Sequence, residues 1–234
     1  MIVFIVAAGL LISSGGRAAA QGSGEVFTDE ASGVRYTVEA FIPANFPVGL
    51  AFAPDGRLFY NEKTTGSVRV VLPDGTRPTE PVITLPTDSL QERGMLGIAV
   101  DPDFERNNLL WLVHTAAGTA ANWPSNRLLR FPVGENNTAG EPETLIDLPI
   151  TNGELLHNGG NVHFDADGRL FISFGDYGDA SNAQNLDTMQ GALHRFDVTE
   201  DGLVAAEGNP FEPSSIYAYG FRNPWDFDFD PVTG

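Results

Sequence analysis

The chain has 234 residues, 42% hydrophobic and 19% charged, a composition that supports a sizeable core and excludes disorder. Its 31 acidic against 13 basic residues leave a formal net charge of −18, which repels phosphate backbones and excludes nucleic acid as a partner. The absence of cysteine excludes disulfides, zinc–thiolate sites and thiol nucleophiles.

In chain order, the first segment is apolar. Residues 2–12 form a run interrupted only by Gly9, and Ala18 and Ala20 supply a small-residue cleavage pattern before Gln21. Such a run falls short of a bilayer span and matches the apolar region of a signal peptide, although no Lys or Arg precedes it. Residues 1–20 are therefore expected to be a signal peptide. The protein is expected to be exported, periplasmic or extracellular, with no membrane span after cleavage. Residues 21–45 read as an N-terminal strand and linker region.

Residues 46–234 read as strands and turns. No stretch sustains helical spacing of apolar residues for three turns, whereas short β-rich runs recur, as at residues 67–72, 109–113 and 170–174. Residues 49–60 resemble residues 162–172: each is a strand, an Asp-Gly turn and a second strand. Residues 97–104 and 226–234 repeat the first half of that unit. The turn positions near Pro54, Pro102, Ala166 and Pro231 lie 48, 64 and 65 residues apart. An all-β chain with this period points to a β-propeller of four-stranded blades. About four blades are expected here. Because a propeller must close to hide its edge strands, the chain is expected to be incomplete at its C-terminus.

Four loops hold polar residues that strands do not need. Residues 91–97 carry Glu92 and Arg93 ahead of a strand and, taken alone, read as an ordinary polar loop with a glycine turn. Residues 155–163 hold His157, Asn158, Gly159, Gly160, Asn161 and His163. His163 falls on the strand of the repeat and reads as packing. His157 precedes that strand, where propeller loops face the central axis, and is the candidate catalytic base, with a structural histidine as the alternative. Residues 173–179 end the partner strand, so hairpin closure is expected to return Asp176 to His157. A carboxylate beside an imidazole fixes its tautomer and stabilises its protonated form, which is what a general base needs. The same stretch also reads as a plain Gly-Asp turn. Residues 217–225 place Arg222 and Asn223 ahead of Pro224-Trp225. An arginine there suits an anionic ligand or charge developing on an oxygen, or is a surface arginine in a turn. His114 and His194 read as strand or turn residues without nearby partners. Glycine-rich nucleotide loops, nucleophile elbows and zinc-protease motifs are absent.

Taken in order, Arg93-Gly-Met-Leu-Gly-Ile-Ala-Val-Asp-Pro-Asp-Phe104, His157-Asn-Gly-Gly160, Phe174-Gly-Asp-Tyr-Gly178 and Tyr219-Gly-Phe-Arg-Asn-Pro224 resemble the glucose/sorbosone dehydrogenase family. The resemblance runs from about Phe46 to Gly234. It implies an all-β, six-bladed β-propeller of the quinoprotein glucose dehydrogenase type, with pyrroloquinoline quinone (PQQ) over the central axis and calcium as a second cofactor. The implied reaction is oxidation of the C1 hydroxyl of an aldose sugar by hydride transfer to the quinone. Position by position, His157 looks like the base for the sugar hydroxyl and Asp176 like its orienting partner. Arg222 and Asn223 look like contacts to the quinone, with Arg222 also stabilising its reduced, negatively charged form. Glu92 looks like a substrate-binding residue, at a position where the glucose enzymes carry Gln, which leaves the sugar preference open. The family's calcium-binding carbonyls, a quinone-binding lysine and an arginine pair correspond to residues beyond 234, so no metal ligand is assigned. The electron acceptor is likewise unassigned. The alternative function is a non-catalytic extracellular propeller that binds proteins, against which the presence of both His157 and Asp176 argues. A metal-dependent lactonase on a similar propeller is a third reading, which Arg222 and Asn223 do not help.

Overall fold

The computed structural model describes residues 3–6 and 25–230. Most of the expected signal peptide and the last four residues of the expected fourth repeat lie outside them. The chain divides into two units, residues 1–46 and 47–234. In the first, β1 (Val3–Val6), β2 (Glu25–Thr28) and β3 (Arg35–Ala40) form an antiparallel sheet in the order β1-β3-β2. Asp29 closes the turn between β2 and β3 by accepting the amides of Ala31 and Ser32 at 3.2 and 3.1 Å.

The second unit is a run of propeller blades. Blade one comprises β4 (Pro47–Phe52), β5 (Leu58–Glu62), β6 (Ser67–Val71) and β7 (Ile83–Thr84). Blade two comprises β8 (Met95–Val100), β9 (Leu109–Ala116), β10 (Ser125–Pro132) and β11 (Glu143–Pro149). Blade three comprises β12 (Gly159–Phe164), β13 (Leu170–Phe174), β14 (Ala192–Thr199) and β15 (Gly202–Ala205), with β16 (Ile216–Tyr219) also paired to β14. Within each blade the strands are antiparallel, and, β16 apart, neighbours in the sheet are neighbours in the chain. The expected Asp-Gly hairpins are superposable in their bonding. Gly56 and Gly168 take φ of +87° and +79°, and their amides donate to Ala53 O and Asp165 O, both at 3.0 Å.

The first strands of successive blades, β4, β8 and β12, pack side by side. Each carries a one-residue bulge at the same place. Pro47 faces Glu62 but Leu50 faces Tyr60; Met95 faces His114 but Ile98 faces Leu112; Gly159 faces Phe174 but Val162 faces Ile172. At the bulge, neighbouring blades touch backbone to backbone. A Cβ on Gly97 would lie 2.5 Å from Gly160 O, and one on Gly49 would lie 3.2 Å from Leu96 O. Glycine is what permits this approach. A bulge also frees amides from the ladder, and buried polar side chains take them up. Gly49 N–H donates to Asn61 Oδ1 at 2.8 Å, and Asn61 Nδ2 donates onward to Leu96 O of blade two at 2.9 Å. Ser173 repeats this in blade three, accepting from Asn161 N–H at 3.2 Å and donating to Pro224 O at 2.8 Å.

Two apolar cores fill the spaces between blades. Phe59, Val68, Met95, Leu110 and Leu112 belong to the one between blades one and two; Trp111, Leu128, Val162, Ile172 and Phe174 belong to the one between two and three. Each such fully buried side chain contributes roughly 1.5–3 kcal/mol. The expected fourth unit appears as its opening segment only. Phe227 meets the His163 ring edge-on at 5.0 Å and Phe229 meets Phe171 at 4.9 Å. This segment forms no strand, because no hairpin partner among the described residues completes its ladder. The expected four or so blades are thus three complete blades and the start of another.

His114 and His194 do have partners, contrary to the expectation from their sequence neighbours. His114 Nδ1 lies 3.1 Å from Thr87 Oγ1. The two nitrogens of His194 lie 2.9 Å from Ser215 Oγ and Met189 O. Burial pulls each imidazole down to about 4. Both are therefore neutral in the folded chain while the unfolded chain takes up protons below about 6.5. Their stabilising contribution is complete above that value and is lost as pH falls towards 4. Urea midpoints measured from pH 7 to pH 4 are expected to record a loss of roughly 3 kcal/mol per histidine, and His194→Gln is expected to flatten the fall.

Candidate active site

His157 sits in the turn that enters β12, and Asp176 sits just past the end of β13. Because β12 and β13 are a hairpin, these two ends meet. His157 Nδ1 and Asp176 Oδ1 are 2.7 Å apart, and both residues are buried. Asp176 Oδ1 also accepts the amide of Gly178 at 2.8 Å, so it is an oriented carboxylate acceptor. With Nδ1–H donated to the carboxylate, the lone pair of the imidazole lies on Nε2. Nε2 has no protein partner among the described residues. Gly175 makes the closure possible: a Cβ there would lie 1.9 Å from His157 O.

All four polar loops converge on this pair. Glu92 Oε2 accepts the backbone amide of His157 at 2.6 Å and Asn223 Nδ2 at 3.0 Å. Asn223 Oδ1 accepts the amide of Gly159 at 3.0 Å. The amide of Asp176 donates to Arg222 O at 2.9 Å. The loop holding Glu92 is thus no ordinary polar loop; its carboxylate clamps two others. Gln91, His157 and Tyr177 all adopt left-handed backbone, at φ of +52°, +57° and +54°. Such conformations cost of order 1–3 kcal/mol each and persist where surrounding bonds over-determine them.

Two buried cations, Lys63 and Arg93, hold these loops in place. Lys63 is buried and donates to Gln91 O at 2.6 Å. Burial pushes its ammonium below the usual lysine value, opposed by the carboxylates of Glu92 and Asp88. Arg93, also buried, pairs with Asp88 at 2.6 Å and donates to Glu154 O at 2.6 Å. The amides of Leu155 and Leu156 hold the Glu154 carboxyl below the usual carboxylate range. Arg93 stands at the head of a recognisable Arg-Gly-Met string, whereas Lys63 lies in a turn with no distinguishing sequence signal.

Arg222 enters the site through its backbone. Its carbonyl joins the site, but its side chain is exposed and without a protein partner among the described residues. Asn223, expected to contact a cofactor, has both ends of its amide bonded to the protein. His163 packs in β12 as expected, its imidazole pulled down by burial against the opposing charges of Asp228 and Asp226. Among the described residues, no group of three or more His, Cys, Asp or Glu side chains converges as a metal site. Among the described residues, the exposed guanidinium of Arg222 and the buried His157–Asp176 pair have chemistry that fits an anionic quinone. A cleft of about 280 Å³ between β4, β8 and β12 is lined by Val48, Leu96, Gly160 and Asn161 and reaches neither His157 nor Asp176.

The family model of glucose/sorbosone dehydrogenases matches residues 44–234. The Escherichia coli aldose sugar dehydrogenase YliI is 28% identical over 149 residues, covering 59% of this chain and 38% of that protein. The human hedgehog-interacting protein is 27% identical over 207 residues, covering 76% of this chain and 29% of that protein. The solved PQQ-bound aldose sugar dehydrogenase of Streptomyces coelicolor is 30% identical with a TM-score of 0.66, covering 77% of this chain and 52% of that one. The chain spans about half or less of the length of these relatives.

The Glu92 clamp has a measurable consequence. Glu92→Ala leaves the amides of His157 and Asn223 without their acceptor and is expected to destabilise the fold by about 1–3 kcal/mol in urea unfolding. Glu92→Gln retains an acceptor oxygen and is expected to cost less than about 1 kcal/mol.

Proposed function

The chain belongs to the glucose/sorbosone dehydrogenase family, and from that premise we propose that it bears the catalytic base of an exported quinoprotein that oxidises the C1 hydroxyl of an aldose sugar. The observation that carries this reading is the 2.7 Å bond between His157 Nδ1 and Asp176, with Nε2 left without a protein partner among the described residues. Similarity to aldose sugar dehydrogenases supports the sugar substrate, and the PQQ-bound relative supports the quinone.

His157 Nε2 takes the proton of the C1 hydroxyl. Asp176 holds the productive tautomer and stabilises the imidazolium that results. PQQ, when bound, supplies the acceptor for the hydride that leaves C1, so that the aldose is oxidised to its lactone. The exposed guanidinium of Arg222 provides a cation for the anionic cofactor and its reduced form. Glu92, whose Oε2 carries both of its hydrogen bonds among the described residues, is the proposed contact to the sugar's hydroxyls through Oε1. Calcium is proposed as the quinone's companion, and no described residue is assigned to it. Export rests on the apolar N-terminal run with its small-residue cleavage pattern.

One observation favours a second reading. Similarity to the hedgehog-interacting protein extends over 76% of this chain, which supports a propeller that serves as a protein-binding module. The test uses the full-length protein with PQQ, calcium, a panel of aldoses and an artificial electron acceptor. Turnover is expected. His157→Ala is expected to lower it by about 10²–10⁴-fold while the variant still unfolds cooperatively. No turnover on any aldose, together with no quinone binding in an absorbance titration, would overturn the dehydrogenase and leave the binding module.

A further inference from the structure

The residues that directly follow the two members of the pair share one anchor. Asn158 follows His157, and Tyr177 follows Asp176. Both are buried, and both bond to Asn126, a residue of β10 in blade two that is 0% exposed. Asn126 Nδ2 donates to Asn158 Oδ1 at 3.1 Å and to the Tyr177 hydroxyl oxygen at 2.8 Å. An amide nitrogen has two hydrogens, so both are used. Asn126 Oδ1 accepts from Thr115 Oγ1 at 2.7 Å, and Thr115 Oγ1 accepts the amide of Gly94 at 3.3 Å. Asn158 Nδ2 donates to Leu155 O at 3.1 Å, so the anchored asparagine also braces its own loop.

We propose that Asn126 is a positioning residue: by holding Asn158 and Tyr177 on a single amide group, it sets the separation and orientation of His157 and Asp176 from a different blade. This rests on the reading of that pair as the base of the dehydrogenase. Asn126 touches neither member of the pair and is not a catalytic residue. A general structural role would need a satisfied buried amide but would not require its two acceptors to be the immediate successors of the two members. His157 and Tyr177 are also two of the site residues with left-handed backbone, at +57° and +54°. Left-handed backbone at His157 and at the residue that follows Asp176 calls for a restraint that acts on both loops together, and Asn126 is placed to supply it. Burial pushes the Tyr177 hydroxyl up, which keeps it neutral and bonded to the amide.

The test reads the pair directly. In the full chain labelled with ¹⁵N, the Nδ1 proton of His157 in its bond to Asp176 is followed by NMR, assigned by its loss in His157→Gln. Asn126→Ala is expected to shift this resonance or broaden it by exchange with water, while unfolding stays cooperative and the remaining amide spectrum is retained. Tyr177→Phe removes one of the two acceptors and is expected to give a smaller change of the same kind; it carries the test if Asn126→Ala does not fold. In the full-length enzyme with quinone and sugar, Asn126→Ala is expected to lower kcat by about 10- to 100-fold with KM changed by less than about twofold. An unshifted resonance in a folded variant overturns the proposal. So does its loss only through global unfolding in both variants, which would make Asn126 a folding residue. The resonance is read without quinone or sugar, so a protein that oxidises no aldose would sink the dehydrogenase reading while leaving this test intact.

Discussion

One extra residue in each inner strand is the constraint from which the rest of the propeller unit follows. A bulge breaks the ladder, bends the strand and re-aims the segment that precedes it. In blade two that segment is Glu92 to Gly94; in blade three it is His157 to Gly159. The bulges also bring neighbouring inner strands into contact at Gly49, Gly97 and Asn161; a Cβ on Gly97 would collide with the next blade's backbone, and one on Gly49 would crowd it. The same irregularity therefore fixes how the blades pack and where the functional loops point.

The site shows how backbone strain and polar burial balance. Gln91, His157 and Tyr177 hold conformations that side chains disfavour. Against this stands a set of bonds that is nearly saturated: Glu92 between His157 and Asn223, Asn223 between Glu92 and Gly159, Arg93 between Asp88 and Glu154, and Asn126 beneath the pair. Each partner removed leaves a buried donor or acceptor unpaired, which is why the arrangement behaves as a unit rather than as separate contacts. Among the described residues the imidazole nitrogen left open is Nε2, the one that a base must present to its substrate.

Family membership and local chemistry meet at this nitrogen. The family includes relatives named as aldose sugar dehydrogenases, and the chain is also similar to a protein named for interaction with hedgehog. What separates an enzyme from a scaffold on the same fold is the site. A buried His–Asp pair whose Nε2 has no protein partner among the described residues is costly to maintain for packing alone. It is the feature that weights the reading towards catalysis.

The sequence by itself determined the repeat, the hairpins and the loops that carry chemistry. Strand alternation and the positive φ demanded by Asp55-Gly56 and Asp167-Gly168 are local properties, legible without knowing what lies nearby in space. Hairpin closure likewise brought Asp176 back to His157, because their separation of 19 residues spans a single β-turn-β unit. Tertiary structure decided what no local pattern encodes. Glu92 reaches His157 across 65 residues, and Asn126 reaches Asn158 and Tyr177 across 32 and 51. At those distances the partner is chosen by blade stacking. The same reason governs Arg222, whose carbonyl faces the site while its guanidinium faces solvent, and His114 and His194, whose partners lie on other segments. The identity of the chemistry was written in short strings; its geometry was set by the packing of one blade against the next.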